Sequence, residues 1–331
     1  MTVKALVCRE YGLPEVLEEI DVERVSLKPK EIRVSVHAAG VGFVDGLLIQ
    51  GKYQVKPPLP YFPGSEFSGE IIEVGDSVEG LKAGQAVMGL AGNGAFSEEV
   101  IVNQAQAFPL PSDLSHATAA SLFINYATAL YGLRDCGNLQ NGETILILGA
   151  AGGVGSAAIA MAKALGATVI AAASSDDKRS AALRFGADET VDYTQEKWRD
   201  ELKSKASHGL NLVYDPVGGS SSESAFRSLS PGGRHLVVGF AAGDIPAIPL
   251  NLALLKRSSI VGVDWGGEYR ENPAINQELM STIFEWITSG RLIPAEPVVR
   301  PMADVRQALT DQLAGQIVGK LVLTRAYPGL R

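Results

Sequence analysis

Apolar positions fall into two textures along the chain. Over roughly the first 125 residues they come in short runs with a period of two, as where Ile32, Val34 and Val36 alternate with polar neighbours. Runs at 31–37, 69–74, 85–90 and 96–102, each bounded by Gly, Pro or Asp, predict short strands and a compact β-rich domain. From about Ala119 the texture changes. Apolar runs at 144–148, 168–172, 212–214, 235–238 and 259–263 alternate with alanine-rich helical patterns, which predicts βαβ units and a parallel sheet covered on both faces. After Trp265 the pattern predicts a helix over roughly 273–289, then Pro294, Pro297 and Pro301, a second helix over 303–313 and a last strand over 320–324. This order predicts an α/β chain in which a doubly wound parallel-sheet domain is inserted between two parts of a β-rich domain. Junctions between domains commonly form clefts.

Composition narrows the functional classes. With 331 residues, 46% apolar and 20% charged, the chain is long enough for two domains that each bury a core. A net charge of -8 without any Lys/Arg block excludes a general nucleic-acid binder, so an anionic ligand needs a local site. No apolar run reaches 18 residues, and Met1 to Ala5 lead into an acidic segment, so the expectation is a cytoplasmic protein with no membrane association. Cys8 and Cys136 have no CxxC partner, which leaves no disulfide framework and no cysteine-based structural zinc. The 36 glycines exceed the usual share and point to tight turns and close backbone approaches.

The strongest motif is GETILILGAAGGVG over 142–155. A buried strand runs into Gly149, Ala150, Ala151, Gly152, Gly153, Val154 and Gly155. Behind it, Val154, Ala157, Ala158, Met161, Ala162 and Leu165 recur at helical spacing up to Gly166. Small residues let backbone approach a diphosphate, and the N–H groups and dipole of the helix start stabilise its charge. The turn therefore predicts nucleotide binding through Ala151, Gly152, Gly153 and Val154. NAD-selective sites of this kind carry an acid at the end of the second strand. Here that strand ends in Ala173, Ser174 and Ser175, followed by Asp176, Asp177, Lys178 and Arg179. Without that acid, repulsion against a 2′-phosphate is gone, and Ser174 and Lys178 can donate to it, so NADPH is expected over NADH. Asp176 and Asp177 count against this, unless residues 176–179 form only a solvated first helical turn.

Gly40 to Asp45, Ile49-Gln50-Gly51-Lys52-Tyr53, Pro63 to Gly69, Gly142 to Lys163, Val213 to Gly219 and Gly319 to Val322 together resemble the medium-chain dehydrogenase/reductase superfamily. Within it they resemble the zinc-free quinone oxidoreductase (ζ-crystallin-like) branch. The resemblance implies a Rossmann NADP-binding domain over 126–265, inserted in a GroES-like catalytic domain made of 1–125 and 266–331. Zinc members of the superfamily place a Cys near Gly42, a His near Ser65 and a four-Cys lobe after Gly89. None of these is present here, so no metal is expected, and His37 and His116 read as hydrogen-bonded structural residues. Many quinone oxidoreductases also carry Asn where this chain has Gly42.

Without a Lewis acid, the implied chemistry is hydride transfer from NADPH to an already electron-poor acceptor, a quinone or an α,β-unsaturated carbonyl. The resemblance implies that the nicotinamide lies near Tyr53, Thr128, Gly239, Phe240 and Val263 to Trp265, and that Tyr193 flanks the adenine and 2′-phosphate. In related 2-enoyl thioester reductases a similarly placed Tyr acts at the substrate, so Tyr53 either stabilises or protonates the reduced acceptor or packs the lip of the cleft. Asp45 reads as ordering the turn after Gly42. The apolar strand 259–263 is expected at a sheet edge, where family members pair with a twofold mate, which implies a homodimer. An enoyl-CoA type reductase and a non-catalytic NADPH-binding structural or sensory protein are the alternatives.

Overall fold

Two units make up the chain, one of residues 1–124 with the segment from Glu296 onward, the other Asn125–Ala295. The computed structural model describes residues 1–325, and residues 326–331, included above in the β-rich domain, lie outside the described residues.

The first unit starts with an antiparallel ribbon of β1 (Thr2–Cys8) and β2 (Leu17–Glu23). The periodicity reading does not include these strands. The reason is visible in LEEIDVE, where charged residues cover the outer face and Leu17 alone is fully buried. There follow β3 (Glu31–Val41), α1 (Phe43–Ile49), β4 (Glu66–Val74), β5 (Ala86–Leu90), β6 (Glu99–Asn103), β7 (Ala107–Pro109) and α2 (His116–Ala119). The predicted strand at 31–37 extends to Val41 because its last residues pair with a strand from the far end of the chain.

The second unit contains the parallel sheet. Its elements are α3 (Phe123–Leu130, which begins at the boundary), β8 (Thr144–Ile147), α4 (Gly153–Ala164), β9 (Thr168–Ala172), α5 (Asp176–Arg184), β10 (Glu189–Val191) and α6 (Trp198–Lys205). Then come β11 (Leu212–Asp215), α7 (Gly219–Ser228), β12 (Arg234–Val237), α8 (Leu250–Lys256), β13 (Ser259–Gly262), α9 (Trp265–Glu271) and α10 (Ile275–Thr288). The strand order is β10-β9-β8-β11-β12-β13 and every pair is parallel. The winding direction reverses between β8 and β11, which makes the sheet doubly wound and puts a topological switch point at their C-terminal ends. Leu146, Leu148, Ile170, Val213 and Phe226 fill its core. The alanines of α4 are buried, so this helix lies close to the sheet.

The segment 266–295 falls in this second unit rather than with the β-rich domain as the sequence reading expects. Its ties explain why: the Trp265 indole donates to Asn276 at 3.0 Å, Arg134 pairs with Glu278 at 2.9 Å, Arg291 donates to the Ala164 carbonyl at 2.8 Å and the Ala295 N–H to the Tyr126 hydroxyl at 2.9 Å. The chain then returns to the first unit with β14 (Val298–Pro301), α11 (Val305–Leu313) and β15 (Leu321–Thr324). β15 pairs with β3, giving the order β14-β15-β3-β4-β5-β7 with β6 added on β3. The architecture is a Rossmann-type sheet domain inserted in a GroES-like β domain. Among the described residues no helix is long and apolar enough to cross a membrane.

His37 and His116, 79 residues apart, meet inside the first unit, with His37 Nδ1 3.2 Å from His116 Nε2. The Ser68 hydroxyl donates to the Val87 carbonyl and therefore accepts from His116 Nδ1 at 2.8 Å. That fixes the tautomer of His116 and makes His37 Nδ1 the donor to it. Burial pushes His116 down to about 4, with His37 adding to the effect, and pushes His37 below its ordinary value against an opposing pull from Glu70. Unfolded, both imidazoles take up protons near 6.5. Their contribution to stability is therefore complete above that pH and is lost as pH falls toward about 4. Between pH 7 and 5 the thermal midpoint of the wild type should fall by a few degrees more than that of His116→Gln. Parallel pH profiles for the two proteins would contradict this.

Candidate functional site

The end of β8 is shaped by a close backbone approach. A Cβ on Gly155 would lie 2.3 Å from the Gly149 carbonyl oxygen and 2.7 Å from the Ala150 Cα, so only glycine lets α4 start this near the strand. Gly152 is the N-cap of α4, no side chain caps it, and the space beside it is open down to a 3.4 Å contact with Gly149 O. The first-turn N–H groups of a helix have no intrahelical partners. At Gly153 and Val154 they lie beside the switch point, with the positive end of a 12-residue helix behind them, a setting suited to an anion.

The adenosine side of the expected site assembles at the ends of β9 and β10. Ser174 is exposed, and its side chain is hydrogen-bonded to the Tyr193 hydroxyl. Burial raises Tyr193, and Ser174 partly offsets this. Ser175 caps α5 by accepting the Lys178 N–H at 3.3 Å, which leaves Lys178 half-buried on the first turn. Residues 176–179 are not uniformly the solvated turn that the sequence suggests. Asp176 and Asp177 are exposed, but Arg179 folds inward, donating to the Ala173 carbonyl at 3.3 Å and pairing with Asp192 at 2.9 Å and with Asp176.

A cavity of about 380 Å³ opens next to Tyr193, lined by Trp198, Val217, Gly218, Gly219 and Ala242 and rimmed by serines of α7. Val217 to Gly219 come from the motif after β11. Asp215 builds their turn. Its Oδ1 accepts the Val217 and Gly218 N–H groups at 2.9 and 2.8 Å, while Oδ2 accepts from the Ser222 hydroxyl at 2.5 Å and His235 Nε2 at 3.0 Å. Burial works to raise this carboxyl, but the His235, Ser222 and Gly218 hydrogen bonds outweigh it and hold Asp215 below the usual range. Gly218 sits at φ +73°, where a Cβ would also lie 2.9 Å from the Phe240 ring. Phe240 and Gly239 thus border the same turn from the end of β12.

The other predicted residues are more scattered. Thr128 is half-buried on α3. Val263 is buried after β13, and Trp265 is buried at the start of α9 with its indole committed to Asn276. Tyr53 belongs to the first unit, half-buried in the loop after α1.

In that first unit, Asp45 organises the turn as expected, accepting the Gly42 N–H at 2.7 Å and the Ser65 hydroxyl at 3.4 Å. Burial raises its carboxyl to about 6, against the Gly42 hydrogen bond and the Lys320 charge. Glu66 and Lys320 form a buried ion pair at 2.5 Å, and the second Glu66 oxygen accepts the Ile124 N–H at 3.0 Å. Removing one partner would strand a buried charge, at a cost of about 3–5 kcal/mol. Zinc does not fit these positions. Glycine at 42 offers no ligand atom, the Ser65 hydroxyl serves Asp45, and among the described residues no group of three His, Cys, Asp or Glu is placed to hold a metal.

Comparison with known proteins agrees with this anatomy. Residues 28–112 match the alcohol dehydrogenase GroES-like domain family, and residues 153–282 the zinc-binding dehydrogenase family. Quinone oxidoreductase-like protein 2 of Rattus norvegicus is 36% identical over 97% of this chain and 92% of its own length. The Escherichia coli quinone oxidoreductase solved with NADPH superposes with a TM-score of 0.88 at 28% identity, over 97% of this chain and 99% of that one. A structure described as an NAD-dependent alcohol dehydrogenase reaches the same TM-score at 29% identity, over 98% of this chain and 100% of that one. The chain is thus an oxidoreductase that belongs to the medium-chain dehydrogenase/reductase superfamily, in its quinone oxidoreductase branch.

Proposed function

We propose that this protein is an NADPH-dependent, zinc-independent reductase of quinones or α,β-unsaturated carbonyl compounds. The observation that carries the reading is the uncapped start of α4 at Gly152 and Gly153, with its approach kept open by glycine. A dinucleotide diphosphate has the charge and slenderness this place accepts. Ala151 to Val154 would hold the diphosphate, and the cavity beside Tyr193 would take the adenine. Both NADPH-bound and NAD-dependent proteins are among the structural relatives, so the choice of NADPH rests on the end of β9, where Ser174 and Lys178 stand instead of an acid. When bound, the nicotinamide supplies hydride. Gly239, Phe240, Val263 and Thr128 would orient it.

A zinc-free site suits an acceptor whose conjugated carbonyl already delocalises incoming charge. Tyr53 would hold its phenolic proton for the reduced acceptor. A panel of NADPH oxidation assays with quinones, simple enones and enoyl-CoA tests the reading. Turnover of the first two is expected, preference for enoyl-CoA would move the substrate class to thioesters, and NADPH binding without turnover of any acceptor would make the chain a non-catalytic binder. Tyr53→Phe should lower kcat for enones by about 100-fold, at the lower end of what a general acid contributes, and leave quinone reduction near wild type. Unchanged rates with both acceptors would remove Tyr53 from the mechanism.

The partner proposed for the open sheet edge is a second copy of this chain. Among the described residues β13 has a single neighbour, β12, and Ile260 is 42% exposed, with Leu254 and Leu255 of α8 also largely exposed. An unpaired apolar edge favours strand addition. Light scattering at micromolar concentration should give the mass of two chains, and Ile260→Lys the mass of one. A monomeric wild type would contradict the dimer.

A further inference from the structure

Arg179 is a cation placed where a 2′-phosphate reader would be useful, yet its donors are already occupied. Nη1 donates to the Ala173 carbonyl and pairs with Asp192 Oδ2 at 2.9 Å, and Nη2 pairs with Asp176. The two carboxylates are not equivalent. The Asp176 side chain is 95% exposed, and an ion pair in that setting contributes little. The Asp192 and Arg179 side chains are only 17% and 18% exposed, so this pair is shielded from water and holds the guanidinium in place.

Asp192 is itself held. Its Oδ1 accepts the Thr194 N–H at 3.0 Å and the Thr194 hydroxyl at 2.6 Å, and its Oδ2 accepts from Gln195 at 3.3 Å. Thr194 first, and Arg179 in addition, keep its carboxyl below the usual range, so it is ionised at neutral pH. The next residue, Tyr193, lines the cavity and bonds Ser174. Asp192 therefore adds a fixed negative charge to this corner and engages the Arg179 guanidinium that would offset it. Asp176 and Asp177 add two more carboxylates, leaving Lys178 as the other cation on the turn.

We propose that Asp192 sets the cofactor preference of this protein, by holding the Arg179 guanidinium against the end of β9 and so keeping it from a phosphate on the adenosine 2′ position. The inference rests on the dinucleotide reading above and refines it. The wild type has a modest preference for NADPH, supplied by Ser174 and Lys178, and a latent one stored in Arg179. A planar guanidinium that is set free can bind a phosphate bidentately.

Asp192→Asn keeps the Oδ1 acceptor for Thr194 and removes the charge. Fluorescence titration of the purified protein with NADPH and NADH should show the ratio of their Kd values shift about tenfold toward NADPH. Arg179→Gln alone, which leaves the Asp192 charge unoffset, should move the ratio away from NADPH, and in an Arg179→Gln background the Asp192→Asn shift should shrink to the part that loss of the carboxylate charge gives by itself, since the remainder acts through Arg179. Asp192→Ser, which also offers an oxygen to Thr194, is expected to behave as Asp192→Asn and gives a second reading if the amide variant does not fold. An unchanged ratio in Asp192→Asn, or a shift as large in the Arg179→Gln background as in the wild type, would overturn the proposal. A wild type that binds neither dinucleotide would overturn the functional reading as well.

Discussion

The contact between Gly155 and the Gly149 carbonyl is the constraint on which the second unit depends. Any side chain at 155 would collide with main chain, which cannot be displaced as a flexible side chain can. Because the helix starts so near the strand, its alanines meet β8 and β9 with little volume between them, and the apolar face of α4 is fully buried. The same closeness aims the free N–H groups of the first turn beyond the end of the sheet, at the point where the winding reverses. Packing and the open first turn of α4 are consequently served by one backbone arrangement.

Around that turn, buried carboxylates organise the remaining loops. Asp215 gathers two backbone N–H groups, a serine and a histidine, and so fixes a glycine turn that has no regular secondary structure to support it. In the first unit Asp45 and Glu66 do comparable work, one closing the turn at Gly42 and the other tying β4 to Lys320 before β15. Such groups are stable only because each is satisfied. An unpaired buried charge would cost several kcal/mol. At positions 42 and 65 a hydrogen-bonded carboxylate, that of Asp45, serves as the cross-link.

The two histidines illustrate what periodicity cannot reach. Each reads as an isolated structural residue, and each is hydrogen-bonded, but they meet each other across 79 residues, and His116 also meets Ser68. Arg179 is a second case. Its sequence context is a polar helix start, and only the return of the chain through β10 brings Asp192 against it. The end of the second unit is a third, because residues 266–295 look detachable until Asn276, Glu278 and Arg291 are seen to bind back to it.

The strand and helix alternation of the second unit, the glycine turn after β8 and the presence of Gly at 42 and Ser at 65 were legible in the sequence. Each of these depends on local periodicity or on the identity of a residue within a contiguous motif, and needs no knowledge of distant partners. Only the tertiary structure decided the ribbon of β1 and β2, the extent of each unit, the histidine pair and the partners of Arg179 and Asp215. Those features depend on which side chains meet across long stretches of chain. Charged or small residues that are ambiguous alone acquire a role only when burial removes water as their alternative partner.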